Sequence, residues 1–306
     1  MGILLIRNDG KYEAWIKAFN AEDPQLNVET PQSDHDPNNV QMAMTWKAPE
    51  GSFEKYENLK VIGSLGAGVD HLFTDPSLPD DVQLTRVVDD KLSGDMQEFV
   101  LSLCMNHIKN LHAYSQSDGR WKPLAYRRVE NVKVGILGFG TLGQAVGKKL
   151  QSVGFQVCGW SKSIKKVDGI KSYSEHQLDA FLAESEILIC LLPLTDDTRN
   201  ILNLELFKKL PKDAFLINVA RGGHLVENDL ITALNSEYLA GAALDVFDKE
   251  PLPEDHAFWK HNKILITPHV ASVSNPPTVV QQIIENYSRM KNGDDLLNLV
   301  SREKRY

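Results

Sequence analysis

Cysteine is scarce, with three in 306 residues. Cys158 and Cys190 stand in apolar, strand-like runs and Cys104 in a helical one, and no two have the spacing of a metal or redox pair. Such thiols suit the interior of a protein in a reducing cytosol, not a disulfide framework. Long apolar runs are missing too: nowhere do about 18 apolar residues follow one another, which argues against a membrane-spanning helix. The opening Met1-Gly2-Ile3-Leu4-Leu5-Ile6-Arg7 has neither the basic leader nor the small-residue cleavage site of a signal peptide and reads as a strand. Like-charge runs are short and the net charge is −8, so neither nucleic acid nor an anionic membrane is an expected partner. The basic end, Arg302-Glu303-Lys304-Arg305, reads as a solvated terminus. No repeat and no low-complexity tract is visible. These absences leave a soluble, cytoplasmic, globular chain.

Its length favours two domains over a single core. Over the first hundred residues, short apolar runs at 3–6, 40–45, 61–65 and 83–87 alternate with helical stretches such as 12–19, the rhythm of a layered α/β unit. Apolar residues then recur at helical spacing, predicting one long helix over 96–114 that links the domains. An arm follows at 119–130, and the α/β rhythm restarts with six strand candidates at 132–137, 155–160, 187–192, 214–219, 240–246 and 263–267. Six such runs suit a doubly wound parallel sheet. An amphipathic stretch at 279–290 is expected to close the chain against the first domain.

The second set of strands opens with Val134-Gly135-Ile136-Leu137-Gly138-Phe139-Gly140-Thr141-Leu142-Gly143. A G-x-G-x-x-G run between strand and helix has a mechanism: Gly138 permits the tight turn, Gly140 lets backbone approach a pyrophosphate, and Gly143 allows helix to pack on strand. The phosphate charge would sit at the helix N-terminus. If the ligand were NAD, an acidic residue should end the next strand, about 20 positions on, to accept from the ribose hydroxyls. Ser161 stands there instead, followed by Lys162, Ser163, Lys165 and Lys166. Hydroxyls and cations favour a 2′-phosphate, so NADPH is the preferred cofactor and NADH the lesser one.

Three later strands end in isolated ionisable residues: Asn218-Val219-Ala220-Arg221-Gly222-Gly223, Leu244-Asp245-Val246-Phe247-Asp248-Lys249-Glu250-Pro251, and Ile266-Thr267-Pro268-His269. The carboxyl ends of parallel strands are where ligands lie. Reducing a 2-oxo acid requires a cation for the carboxylate, a proton donor for the carbonyl oxygen, and a group that keeps the donor protonated. Arg221, His269 and Glu250 meet those needs in turn. Singly, each has an ordinary structural explanation; their succession on a nucleotide sheet favours chemistry.

Taken in order, these motifs resemble the D-isomer-specific 2-hydroxyacid dehydrogenase family over almost the whole chain. The likeness is strongest to its glyoxylate/hydroxypyruvate reductase A branch, through Leu65-Gly66-Ala67-Gly68-Val69-Asp70, Met96-Gln97-Glu98, Trp121-Lys122-Pro123-Leu124 and Cys158-Gly159-Trp160-Ser161-Lys162-Ser163. The resemblance implies a Rossmann cofactor domain, 102–274, inserted in a smaller flavodoxin-like α/β substrate domain, 1–101 with 275–306. Arg221, Glu250 and His269 would be the catalytic trio. Leu65, Gly66, Ala67 and Gly68 would grip the substrate carboxylate through backbone amides, with Trp46 bordering the pocket. Thr141, Leu142, Val219 and Ala220 would join the glycines in holding cofactor, Asp245 would face the nicotinamide carboxamide, and Leu192 and Pro193 would pass near the same ring. A homodimer joined through the cofactor domain is implied, and no metal. Ser161, where most of the family has aspartate, departs toward NADPH. Two other readings stay open: a nucleotide-sensing, corepressor-like interaction protein on the same fold, and a dehydrogenase for another small acid such as formate.

Overall fold

The computed structural model describes residues 2–116, 119 and 121–306. The chain separates into two compact units, Met1–Leu92 with Val273–Tyr306, and Ser93–Ser272. The first division falls inside a continuous helix, where no change of composition marks it, instead of after residue 101.

In the first unit, β1 (Gly2–Arg7), α1 (Glu13–Glu22), β2 (Asn27–Glu29), β3 (Val40–Trp46), β4 (Val61–Ser64) and β5 (Gln83–Thr85) follow in order. The five strands are parallel, arranged β2-β1-β3-β4-β5, which is the flavodoxin-like order. Ile3, Leu5, Met42 and Met44 project to one face and Leu4, Ile6, Ala43 and Ile62 to the other, because side chains alternate along a strand. Both faces are buried, so these strands read as continuous apolar runs. The edge strand β2, three residues with polar ends, has no such signal.

The second unit holds most of α2 (Asp90–Ile108), then α3 (Leu111–Ser115). The single helix expected over 96–114 is therefore two. Asn110 between them has left-handed backbone, φ 57°, which asparagine tolerates better than most residues. Its Nδ2 donates to the Ala125 carbonyl at 2.6 Å, and Asn106 Oδ1 accepts from the His112 amide at 2.8 Å. Of the arm expected over 119–130, Arg120 lies outside the described residues; 121–128 has no helix or strand.

There follow β6 (Lys133–Leu137), α4 (Thr141–Val153), β7 (Gln156–Trp160), β8 (Lys171–Tyr173), α5 (Leu178–Leu182), β9 (Ile187–Cys190), α6 (Leu204–Phe207), β10 (Ala214–Asn218), α7 (Glu227–Asn235), β11 (Leu239–Leu244) and β12 (Ile264–Ile266). All seven strands are parallel in the order β12-β11-β10-β9-β6-β7-β8. The order reverses between β6 and β9, and such a switch point is where open α/β sheets bind ligands. The seventh strand, β8, is short and polar at its start. The final helix, α8 (Pro276–Asn292), packs on α1 in the first unit and buries Val279, Val280, Ile283 and Tyr287. It starts earlier than its apolar stripe because proline is well accommodated in a helix's first turn.

Cys104, Cys158 and Cys190 are buried free thiols, and burial pushes each up to about 12. They are poor nucleophiles. Among the described residues, no helix is long and apolar enough to cross a membrane.

Candidate active site

The glycine turn stands at the switch point. Gly138, directly after β6, has φ 110°, and a Cβ there would lie 2.5 Å from the Leu191 carbonyl carbon. The turn thus rests on the segment that leads to Leu192 and Pro193 after β9. A Cβ on Gly143 would fall 2.2 Å from the Gly138 carbonyl oxygen, so helix α4 packs on the turn itself. Gly140 differs: nothing lies within 4 Å of a Cβ built on it, and it is the N-cap of α4. Open space, glycine and a thirteen-residue helix's N-terminal amides fit a pyrophosphate. Thr141 and Leu142 form the first turn of that helix.

After β7, the Ser161 amide donates to the Tyr173 carbonyl at 3.2 Å, and its hydroxyl donates to the Ser163 carbonyl at 2.8 Å. Lys162 Nζ lies 3.0 Å from Asp197 Oδ2, both side chains exposed. Lys165 Nζ donates to Ser163 Oγ at 2.9 Å. The loop therefore presents hydroxyls and ammonium groups, with no carboxylate at position 161.

β10, β11 and β12 end level, since Asn218 pairs with Leu244 and Leu244 with Ile266. Arg221, Glu250 and His269 all follow on the loops beyond them. His269 Nδ1 stands 2.9 and 3.0 Å from the two Glu250 carboxylate oxygens. Glu250 Oε1 also accepts from the Phe247 amide at 3.1 Å, and the Glu250–Pro251 peptide is cis. His269 has φ 54°, uncommon for a residue with a side chain. Its surroundings enforce that shape: its amide donates to the Asp245 carbonyl at 2.8 Å. The buried Asp245 carboxylate accepts from Thr267 Oγ1 at 2.6 Å and from the Val270 and Ala271 amides at 3.0 and 2.9 Å. Asp245 thus holds the histidine loop onto β11.

Arg221 belongs to a loop shaped by Asn218, whose buried side chain donates to the Arg221 carbonyl at 3.1 Å and accepts from the Ala220 amide at 3.2 Å. Val219 and Ala220 are buried. Arg221 Nη1 donates to the Ala220 carbonyl at 2.6 Å. A Cβ on Gly222 would fall 1.8 Å from the Phe247 carbonyl carbon, so the arginine loop lies directly on the segment whose amide holds Glu250. Sequence reasoning gave no part to Asn218 or His224. Fully buried His224 has Nδ1 3.1 Å from the Arg221 carbonyl and Nε2 3.3 Å from the Pro193 carbonyl, linking the arginine loop to the Leu192–Pro193 turn. A polar residue among buried neighbours directly after a glycine pair was the available signal.

In the first unit, the segment after β4 carries Leu65, Gly66, Ala67 and Gly68. The Leu65 amide donates to the Thr45 carbonyl at 2.9 Å and the Gly66 amide to Ser64 Oγ at 3.1 Å, so two of the four amides are committed internally. Among the described residues, no acceptor takes the amides of Ala67 or Gly68, which are the half-buried pair. Trp46, ending β3, lies against Gly66: a Cβ there would be 2.8 Å from Trp46 Cζ3.

A sheet with a glycine turn suited to a pyrophosphate at its switch point, and an imidazole after β12 backed by a glutamate from the loop after β11, is equipped for hydride transfer to a carbonyl. The chain belongs to the D-isomer specific 2-hydroxyacid dehydrogenase family: residues 101–271 match the family's NAD binding domain. It is 39% identical to the glyoxylate/hydroxypyruvate reductase A of Serratia proteamaculans, with 92% of each chain covered. It is 35% identical to the protein of that name from Yersinia enterocolitica, with 98% of each covered. Among solved structures, a D-isomer specific 2-hydroxyacid dehydrogenase from Xanthobacter autotrophicus, in complex with NADPH and MES, matches with a TM-score of 0.95 at 38% identity, covering 100% of this chain and 99% of that one. The NADPH-dependent glyoxylate/hydroxypyruvate reductase of Sinorhizobium meliloti, in complex with NADP and sulfate, matches at 0.94 and 36% with the same coverage.

Proposed function

We propose that this chain is a cytoplasmic, homodimeric reductase that uses NADPH to convert small 2-oxo acids, such as glyoxylate and hydroxypyruvate, to 2-hydroxy acids. Its second unit would be the cofactor domain. The observation that carries the reading is the His269–Glu250 pair, at 2.9 and 3.0 Å, on a loop locked by Asp245.

Both Glu250 oxygens face Nδ1, so that nitrogen keeps its proton and the ring orientation is fixed. Nε2 is then the nitrogen that serves the substrate. A nicotinamide coenzyme, when bound, would supply the hydride. As the carbonyl π pair moves onto oxygen, that oxygen would take its proton from His269 Nε2. The ring is 28% exposed, so solvent can return that proton for the next turnover. The planar guanidinium of Arg221 pairs with the carboxylate and polarises the carbonyl, which a lysine point charge would do less well. In the first unit, the Ala67 and Gly68 amides are donors suited to a carboxylate, with Trp46, Leu65 and Gly66 beside them. Val219, Ala220, Leu192 and Pro193 would line the nicotinamide; Asp245, expected to face its carboxamide, is buried and taken up by Thr267, Val270 and Ala271, so it would act through the histidine loop.

NADPH preference rests on Ser161 and the cations after it. The exposed Lys162–Asp197 pair is worth at most about 1 kcal/mol, so Lys162 can exchange it for a 2′-phosphate. The two solved relatives hold NADPH and NADP. The homodimer is supported by exposed apolar side chains on the arm and on α3 before it: Trp121 is fully exposed, and Tyr126 and, on α3, Leu111 more than half.

A panel of 2-oxo acids, followed by loss of NADPH or NADH absorbance, tests the reading. Glyoxylate or hydroxypyruvate with NADPH should react fastest. His269→Asn should lose roughly 10²–10⁴-fold in turnover with NADPH affinity intact. Tight NADPH binding without turnover of any 2-oxo acid would overturn the assignment in favour of a sensor. Sedimentation that finds only a monomer would remove the dimer.

A further inference from the structure

We propose that Ser64 and His71 are positioning residues that staple the carboxylate-binding loop into shape; this rests on the reading of that loop given above. Ser64 ends β4 and is fully buried. A hydroxyl has one proton to give and two lone pairs to receive. Ser64 Oγ has three partners: the Gly68 carbonyl at 2.7 Å, the Gly66 amide at 3.1 Å and His71 Nε2 at 3.0 Å. The carbonyl can only accept and the amide can only donate. The hydroxyl proton therefore goes to Gly68, and Ser64 receives both the Gly66 N–H and a proton-bearing Nε2 of His71. The hydroxyl is then saturated, and Nε2 of His71 carries a proton.

This staple ties Ser64 to residues two, four and seven positions further on. It draws the Gly66 amide inward and pins the far end of the loop by the Gly68 carbonyl. Among the described residues, the amides left without an acceptor are those of half-buried Ala67 and Gly68, two adjacent N–H groups of the kind that can serve an anion. The His71 ring also stands edge-on to Trp46, with centroids 5.3 Å apart and planes at 63°, and Trp46 in turn backs Gly66. One imidazole thus braces both the amide pair and the aromatic wall. The ligand class follows from the donors: a compact carboxylate, held in ground state and transition state alike, so that the staple governs binding more than the chemical step.

Ser64→Ala and His71→Leu, with His71→Gln as the rescue, test this in the full chain. Glutamine extends a donor about as far as Nε2. Ser64→Ala and His71→Leu should each raise the KM for glyoxylate and the Ki of oxalate, an unreactive dicarboxylate, about tenfold. Turnover should stay within about twofold and NADPH affinity unchanged, the pattern of lost uniform binding. His71→Gln should recover most of the loss, and hydrogen exchange over residues 65–69 should accelerate in the two damaging variants only. Unchanged KM and Ki in folded Ser64→Ala and His71→Leu, or a loss in turnover equal to that in KM, overturns the proposal. If Ser64→Ala fails to fold, the His71 pair decides alone. If the wild type reduces no 2-oxo acid, the function proposed above is what fails; slowing of exchange at 65–69 by oxalate in the wild type and its loss in His71→Leu then supports the staple, and no slowing overturns it.

Discussion

Two glycine turns leave the carboxyl ends of parallel strands in this chain, one in each unit, and they are built to opposite specifications. The turn at 138–143 is open: its central glycine, Gly140, has nothing within 4 Å of a Cβ position, and the donors it would offer an anion are the first amides of a long helix. The turn at 65–68 is closed: Gly66 is pressed by Trp46, and its Ala67 and Gly68 amides are selected by a serine staple. A helix terminus comes with unsatisfied N–H groups aligned by its geometry. A loop without one must have its amides sorted by side chains. Glycine serves three distinct purposes across the pair: backbone conformation at Gly138, ligand approach at Gly140 and room for an indole at Gly66.

Substitutions separate those purposes. The largest effect is expected from Gly138→Ala, which needs φ 110° and puts a methyl 2.5 Å from the Leu191 backbone. It should weaken NADPH binding by about 100-fold or more and lower the melting temperature of the second unit, read by fluorescence titration and calorimetry. Gly140→Ala meets no protein atom, so stability should hold while NADPH affinity falls roughly 30-fold, because the methyl occupies pyrophosphate space. An unchanged affinity would end the idea that this opening is for a ligand. Gly66→Ala should displace Trp46 and raise the KM for glyoxylate about tenfold with NADPH affinity untouched; a fall in NADPH affinity instead would mean that the two turns are not separable. Smallest is Ser161→Asp, which places a carboxylate where a 2′-phosphate is expected. On the order of 1 kcal/mol of repulsion at an exposed site should favour NADH about fivefold, measured as the ratio of kcat/KM for the two cofactors.

The contrast also explains what could be read without coordinates. The open turn was legible because its requirements are local: strand, glycines at fixed offsets, helix. The proposed catalytic residues stood out as single ionisable groups after apolar strands, and the six main strands of the second sheet as apolar runs. Less visible were features that depend on how a loop folds back on itself or on its neighbours. Nothing local to Ser64 announces that its hydroxyl would meet His71, and nothing at His224 announces the carbonyls of Arg221 and Pro193. The edge strands β2 and β8 are too short for a period to register, and the break at Asn110 depended on side-chain amides capturing backbone groups across the arm. Of the four loop amides implied by family resemblance, two are engaged elsewhere, because hydrogen-bond accounting is a property of the folded chain.

Arg221, Glu250 and His269 all descend from three neighbouring strands of one sheet, within a single compact unit. The proposed acid–base groups therefore share one scaffold, while Trp46, Ser64 and His71 belong to the other unit. On the proposed reading, rewriting the ends of β3 and β4 would change how a carboxylate is held and leave the sequence of the proton-moving groups in the second unit untouched.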